Sequence, residues 1–268
     1  MLKQSMNATM VSIRKVLFPD MCFVCKEFID VDKPTSIDDL VEMERDDAFK
    51  TVLKDVLCES CLKTFTSVTP PYCSRCGAMF KSKTAENHLC PNCIDKKSKI
   101  GKIRSVGIYE EALLELVHKF KYNGKVGLAD TFGKMLFLLY MDMVKDESYD
   151  MIIPIPLHRS RFRKRGFNQA YLVLKNWNQY TQSVIINRDV LLRTRKTETQ
   201  IGLSNIERRR NLKNAFEAKD SVKNRRILLV DDVYTTGATV ESCAGILAKK
   251  GADVIDVITM ARTGNLHK

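Results

Sequence analysis

No stretch of this 268-residue chain is apolar for long enough to cross a bilayer. The longest apolar run, Met135 to Val144, already contains Asp142 and falls far short of the roughly 18 residues a spanning helix needs. An export signal is lacking too, because Arg14 and Lys15 interrupt the N-terminal segment where a signal peptide keeps its apolar region unbroken. Low-complexity tracts are absent, and so are internal repeats other than Cys-x-x-Cys units. Cysteine itself disappears between Cys93 and the single Cys243. These absences give the expectation of a cytoplasmic, unexported protein without membrane insertion. The cysteine break, with the polar run DKKSK at 95–99, places a domain boundary near residue 100, giving 1–100 and 101–268.

What is present is an ordinary globular composition, 44% hydrophobic and 28% charged, which supports a real core and excludes wholesale disorder. The formal net charge is +12. Thiolates bound to two divalent metals would lower it to about +8, still basic enough for nucleic acid or phosphorylated small molecules as partners. The charge is unevenly spread. Asp30 to Asp55 carries nine acids against four bases, an acidic insert at about 26–57 whose plainest reading is a solvated helix and loop. Arg159 to Arg165 carries five bases and no acid.

Four Cys-x-x-Cys units dominate the first domain: Cys22/Cys25, Cys58/Cys61, Cys73/Cys76 and Cys90/Cys93. A two-residue spacer lets both sulfurs of one knuckle face the same cation, and two knuckles complete a tetrahedron. Sequential pairing gives one site from Cys22, Cys25, Cys58 and Cys61 and another from Cys73, Cys76, Cys90 and Cys93; an interleaved pairing stays open. Two structural zinc ions suit knuckles separated by loops better than an iron–sulfur cluster does. Disulfides do not suit a chain without an export signal. His88 is an alternative ligand to Cys90 or an exposed loop histidine. Cys243 shares helical spacing with Val240, Ala244 and Leu247 and reads as a small core residue.

Beyond residue 100 the pattern alternates. Helices are predicted over 110–121, 131–143, 168–180, 205–216 and 239–250, and strands over 151–155, 227–230 and 254–260. Such alternation implies an α/β fold with a parallel sheet covered by helices. The segment 227–239, ILLVDDVYTTGAT, is the most informative. A buried strand ends in Asp231 and Asp232, then a hydroxyl- and glycine-rich turn opens a helix. The backbone N–H groups of 235–239 and the helix N-terminus make an anion cradle. Gly237 permits close approach, and Thr235, Thr236 and Thr239 add hydroxyl donors. Adjacent carboxylates beside a phosphate suit the vicinal hydroxyls of a sugar.

This segment resembles the phosphoribosyl pyrophosphate (PRPP) binding motif of type I phosphoribosyltransferases. The resemblance implies that Asp231 and Asp232 hold the ribose 2′ and 3′ hydroxyls while Thr235, Thr236, Gly237, Ala238 and Thr239 grip the 5-phosphate. Tyr234 departs from the usual aliphatic residue and is expected to face outward. The order of Cys-x-x-Cys ribbon, PIPLHRSRFRKRGFNQA (154–170), RTRKTETQIGLS (193–204), RRRNLKNAF (208–216) and PRPP loop resembles the ComF family of competence-associated proteins from about residue 19 onward. The long insert at 26–57 is a departure. The resemblance implies a parallel-sheet type I phosphoribosyltransferase fold with an N-terminal double zinc ribbon. It further implies that His158, Arg159, Arg161 and Arg163 face a diphosphate, that Arg193, Arg195, Thr197 and Gln200 belong to a catalytic loop closing over it, and that Mg2+ accompanies PRPP. A role in DNA uptake, with a ComFA-like competence helicase as partner, is also implied. No residue announces the acceptor, and no glutamine-amidotransferase nucleophile is in sight, since Cys22 is committed to a knuckle. The rival expectation is a non-catalytic adaptor that binds single-stranded DNA along Arg159–Arg165, with Phe162 stacking on a base.

Overall fold

The run Ile227–Val230 has no polar side to offer water, so it needs cover on both faces. In a computed structural model, which describes residues 19–31, 35–81, 86–145, 148–182, 185–196, 212 and 214–264, all four side chains are fully buried. In chain order the elements are α1 (Ile37–Glu42), α2 (Arg45–Lys54), α3 (Glu59–Leu62), α4 (Pro91–Ile94), β1 (Ile103–Ile108), α5 (Glu111–Tyr122), α6 (Leu128–Val144) and β2 (Met151–Pro154). Then come α7 (Arg159–Arg165), α8 (Gln169–Leu172), α9 (Trp177–Tyr180), β3 (Ile185–Ile186), β4 (Leu191–Arg193), β5 (Phe216–Ala218), β6 (Arg226–Tyr234), α10 (Ala238–Lys249) and β7 (Val254–Arg262). Five strands form one parallel sheet in the order β1-β7-β6-β2-β3, and β4 pairs antiparallel with β5. This is the α/β parallel-sheet architecture expected from the alternation.

Because successive side chains of a strand point to opposite faces, the sheet splits the core in two. Leu228 and Val230 join α5 and α6 on one side, with Leu116, Phe120, Phe132 and Leu136. Ile227 and Leu229 join α10 on the other, with Val240, Cys243, Ala244 and Leu247. Cys243 is therefore core, as its spacing predicts. Among the described residues no helix is long and apolar enough to cross a membrane.

Three differences from the expected elements have physical causes. The helix predicted over 168–180 is two short turns, α8 and α9, joined by i−3 hydrogen bonds at Leu174, Lys175 and Trp177. Trp177 is fully buried there and its indole N–H donates to the Gly133 carbonyl at 3.1 Å, so the tertiary contact sets the local backbone. The helix predicted over 205–216 falls mostly outside the described residues. Its end is strand, with Asn214 in the left-handed region (φ 55°) ahead of β5. The acidic insert is more than a solvated surface. Ala48, Phe49, Val52 and Leu53 bury one face of α2 against α6, and Arg45 pairs with Asp142 at 3.1 Å.

Candidate functional site

The insert folds back far enough to bring Cys58 and Cys61 to Cys22 and Cys25. The sulfurs of Cys22, Cys25, Cys58 and Cys61 converge, as do those of Cys73, Cys76, Cys90 and Cys93, with all ligand atoms of each group within 4.8 Å of one another. The pairing is therefore sequential. A tetrahedral zinc site of four thiolates sets its sulfurs about 3.8 Å apart. Here Cys25 and Cys58 lie 3.4 Å apart and Cys76 and Cys90 lie 3.8 Å apart. Burial alone would push the Cys22 and Cys73 thiols up, but backbone N–H donors reverse this and hold both at about 6. Burial raises the Cys61, Cys90 and Cys93 thiols instead, so each group holds one readily ionised sulfur and others that give up their protons only to a cation; the convergence of four sulfurs is what fits zinc. His88 stacks on Phe80 at 4.0 Å, an exposed histidine outside the cluster.

The second centre of interest is a hollow of about 780 Å³ at the carboxyl ends of β2 and β6. Open α/β sheets bind ligands at this end of their strands. Asp231, Asp232, Thr235, Gly237, Ala238 and Thr239 line it, with Lys121, Arg161, Lys164, Arg165 and Arg193 as its cations. Gly237 is the N-cap of α10 with φ 76°, and a Cβ there would meet the Tyr234 hydroxyl at 2.8 Å. Only glycine satisfies both the left-handed backbone and the space. Tyr234 does not face outward, as the sequence suggested. It is 9% exposed and its ring lies beneath the turn. The Thr236 hydroxyl accepts from the Ala238 N–H at 3.4 Å and tightens the turn without lining the hollow.

The two carboxylates are held differently. Burial first, then the Asp232 charge, pushes Asp231 up to about 7. Its Oδ1 accepts the Asp232 N–H at 2.9 Å. Asp232 pairs with the Lys121 ammonium at 2.8 Å. Lys121 is a residue that sequence reading missed. Burial disfavours its charge, yet the Asp232 carboxylate outweighs that and raises its pKa. The only signal in the sequence was a lysine in the last turn of an amphipathic helix, which reads equally well as a dipole partner.

The basic segment is the helix α7, and that divides its side chains. His158 is the N-cap, its Nδ1 accepting the Ser160 N–H at 3.2 Å, and Gly166 closes the helix in the left-handed region (φ 85°). At 100° per residue, Arg161 and Arg165 share one face. They turn to the large hollow with Lys164. Arg159, Phe162 and Arg163 line a neighbouring hollow of about 480 Å³ with Tyr171 and Arg188. So Arg161 stands with Asp231 and Asp232, whereas His158, Arg159 and Arg163 do not. Asn168 caps α8, its Oδ1 accepting the Ala170 N–H at 3.0 Å. Arg193, 8% exposed, reaches the large hollow and lies over the Phe216 ring at 5.1 Å. Burial and Arg161 lower its pKa to about 10. Arg195 is exposed and outside the hollow. Thr197 and Gln200 lie outside the described residues.

A parallel sheet with a hydroxyl- and glycine-rich turn at its carboxyl end, joined to two four-cysteine groups that could hold metal ions, defines the class of α/β protein to which the chain belongs. The chain is 34% identical over 217 residues to Competence protein F of Haemophilus influenzae, covering 79% of this chain and 92% of that one. It is 31% identical over 211 residues to DNA utilization protein YhgH of Escherichia coli K12, covering 77% and 90%. It is 27% identical over 215 residues to Competence protein ComFC of Bacillus subtilis, covering 77% and 84%. The chain belongs to the ComF family of competence and DNA-utilization proteins. No protein-family model matches it.

Proposed function

We propose that the large hollow binds PRPP and that the chain is a phosphoribosyltransferase-like protein serving DNA uptake. One observation carries this reading: a diol-ready acid pair, a glycine-hinged helix N-terminus and three guanidinium groups, Arg193 buried and Arg161 and Arg165 half-buried, share a single hollow. The 5-phosphate meets the N–H groups of 235–239 and the positive end of the twelve-residue α10. Asp231 and Asp232 accept the ribose hydroxyls. Arg161, Arg165 and Arg193 take the diphosphate, for which fork-shaped donors suit. When the C1–O bond to diphosphate breaks, those guanidiniums stabilise the departing charge and the carboxylates face the cation-like sugar. Oxygen-only carboxylate ligands fit a hard cation, and Asp231 is the more available of the two, since Lys121 already holds Asp232. Magnesium, when bound, would supply further charge neutralisation on the diphosphate.

Titration calorimetry with PRPP tests this reading. The wild type is expected to bind, and Asp231→Ala with Asp232→Ala to lose at least about a hundredfold, since hydrogen bonds to charged groups each contribute about 1.5–3 kcal/mol. A wild type that gives no heat with PRPP overturns it.

A second reading has its own support. The neighbouring hollow joins Phe162, 48% exposed, and Tyr171, whose ring carries the Arg188 guanidinium at 5.1 Å, to Arg159 and Arg163. Aromatic faces among arginines suit a single-stranded nucleic acid. Oligonucleotide affinity should then fall steeply with salt, and a flat response would remove the reading.

A further inference from the structure

The two four-cysteine groups carry the same ligands in different surroundings. Among the described residues, which include all nine cysteines, only Cys25 is exposed. No cysteine of the second group is more than 9% exposed. Its knuckles are also tied down. The Arg75 guanidinium donates to the Cys93 carbonyl at 2.5 Å, and the Cys73 sulfur accepts the Cys76 and Cys90 N–H groups at 3.4 and 3.3 Å. A solute reaches those sulfurs only when the segment opens.

The first group is open at one edge. Cys22 and Cys58 are buried and Cys61 is half-buried, but Cys25 stands at the surface of the knuckle that the Met21–Phe28 bridge closes. Its sulfur lies 3.4 Å from that of Cys58, on the other knuckle. The Ser60 hydroxyl, 3.0 Å from the Cys58 sulfur, and the Glu27 carboxylate, 4.0 Å from the Cys25 sulfur, rim the pair, and both residues are exposed. A small uncharged oxidant therefore meets one sulfur at the surface with a second close behind it. A cation held by four cysteines keeps them deprotonated, and the thiolate is the form that peroxides oxidise. With thiolates in both groups, access decides which reacts.

We propose that Cys25 is a modification site for hydroperoxides and that Cys58 resolves it, so that the first group gives up its metal reversibly while the second keeps its own. The proposal is independent of the sugar-phosphate reading and rests on zinc in both groups. The Cys25 thiolate attacks one peroxide oxygen and the O–O bond breaks. The sulfur becomes a sulfenic acid, and hydroxide leaves when the oxidant is hydrogen peroxide. The Cys58 thiolate then attacks the Cys25 sulfur, forms the S–S bond and expels a second hydroxide. Two thiolates have lost two electrons, one peroxide has gained them, and solvent protonates both hydroxides. Cys22 and Cys61 remain, two thiolates where a tetrahedral ion needs four. The insert keeps its place, because α2 holds to α6 through its own apolar face.

The test treats the zinc-loaded full chain with hydrogen peroxide, reads released zinc with a chromogenic chelator, and maps free thiols and disulfides by alkylation and peptide mass. One zinc equivalent should leave at least about tenfold faster than the second, since the buried group reacts only on opening. The map should join Cys25 to Cys58 and leave Cys73, Cys76, Cys90 and Cys93 as free thiols. A dithiol reductant with added zinc should restore both equivalents, which oxidation past the sulfenic acid would prevent. Cys25→His keeps a zinc ligand without the oxidisable sulfur, so it should hold two zincs and lose the fast phase. Cys25→Ser, short of the first zinc, should release none in the fast phase. Equal rates for the two equivalents, fast release that persists in Cys25→His, a bridge that omits Cys25 or Cys58, or zinc that does not return on reduction overturns the proposal. So does a wild type that keeps both zincs under peroxide or holds none at the start.

Discussion

The two four-cysteine groups share a spacing and little else. The first, Cys22/Cys25/Cys58/Cys61, leaves Cys25 exposed and Cys61 half-buried, while all four cysteines of the second are buried. The first packs with α2 in the core on the α6 side of the sheet; the second packs in the core on the α10 side. Among the described residues it is the second that is wired to the turn at Gly237. The Arg262 guanidinium donates to the Cys76 carbonyl at 2.6 Å and lies over the Tyr234 ring at 5.7 Å, and that ring supports Gly237. Lys96 and Ser98, just after Cys93, hold Glu241 in the first turn of α10 at 2.5 and 3.0 Å. Identical cysteine sets can thus serve different ends: the first group closes a long insert and the second braces the turn at Gly237.

The largest expected contrast comes from the ligands themselves. Cys90→Ser should remove one zinc and most of the ribose 5-phosphate affinity, because structural zinc contributes folding energy that the second core cannot replace. Cys25→Ser should also remove one zinc while leaving ribose 5-phosphate affinity within about twofold, its thiol being at the surface. Metal analysis and calorimetry read both, and equal losses would break the contrast. Next in size is Arg262→Met, which cuts the brace while sparing the ligands. Two zincs should remain and affinity should fall by about tenfold, the cost of one charged hydrogen bond. Glu241→Gln should do less, lowering Tm by a few degrees for the loss of a half-buried pair worth about 1 kcal/mol.

The smallest effect is a titration. Asp231 has its ordinary value of 3.8 raised to about 7 by burial and by Asp232. Between those values the folded chain binds more protons than the unfolded one, so this group lowers stability as pH rises from about 4 to 7. Sugar hydroxyls need the ionised form, so ribose 5-phosphate affinity should rise through about pH 7 in the wild type. Asp231→Asn should flatten that rise, leaving only the ligand phosphate's own step near pH 6. A wild-type profile as flat as the variant's contradicts the assignment.

Much of this was legible in the sequence because the strongest signals were local. The Cys-x-x-Cys units, the buried run Ile227–Val230 and the turn ending at Gly237 each carry their meaning within a few residues. What the sequence hid depends on rotation and on distance. A basic run read from sequence keeps Arg159, Arg161 and Arg163 together on one diphosphate, whereas the helix sends Arg161 and Arg165 to one hollow and Arg159 and Arg163 to another. Lys121 and Asp232 are far apart in the chain and meet only through the sheet. The break between α8 and α9 follows from Trp177 reaching Gly133, a contact no periodicity encodes. Tyr234 turned inward because Arg262 and Gly237 offered it a place.

The account stands on the site at the carboxyl end of β6. The most direct measurement is the difference density of crystals soaked in PRPP. The account predicts the 5-phosphate on the N–H groups of 235–239 and the ribose hydroxyls on Asp231 and Asp232. Density confined to the outer hollow at Arg159 and Arg163, with the acid pair still closed on Lys121, would contradict it.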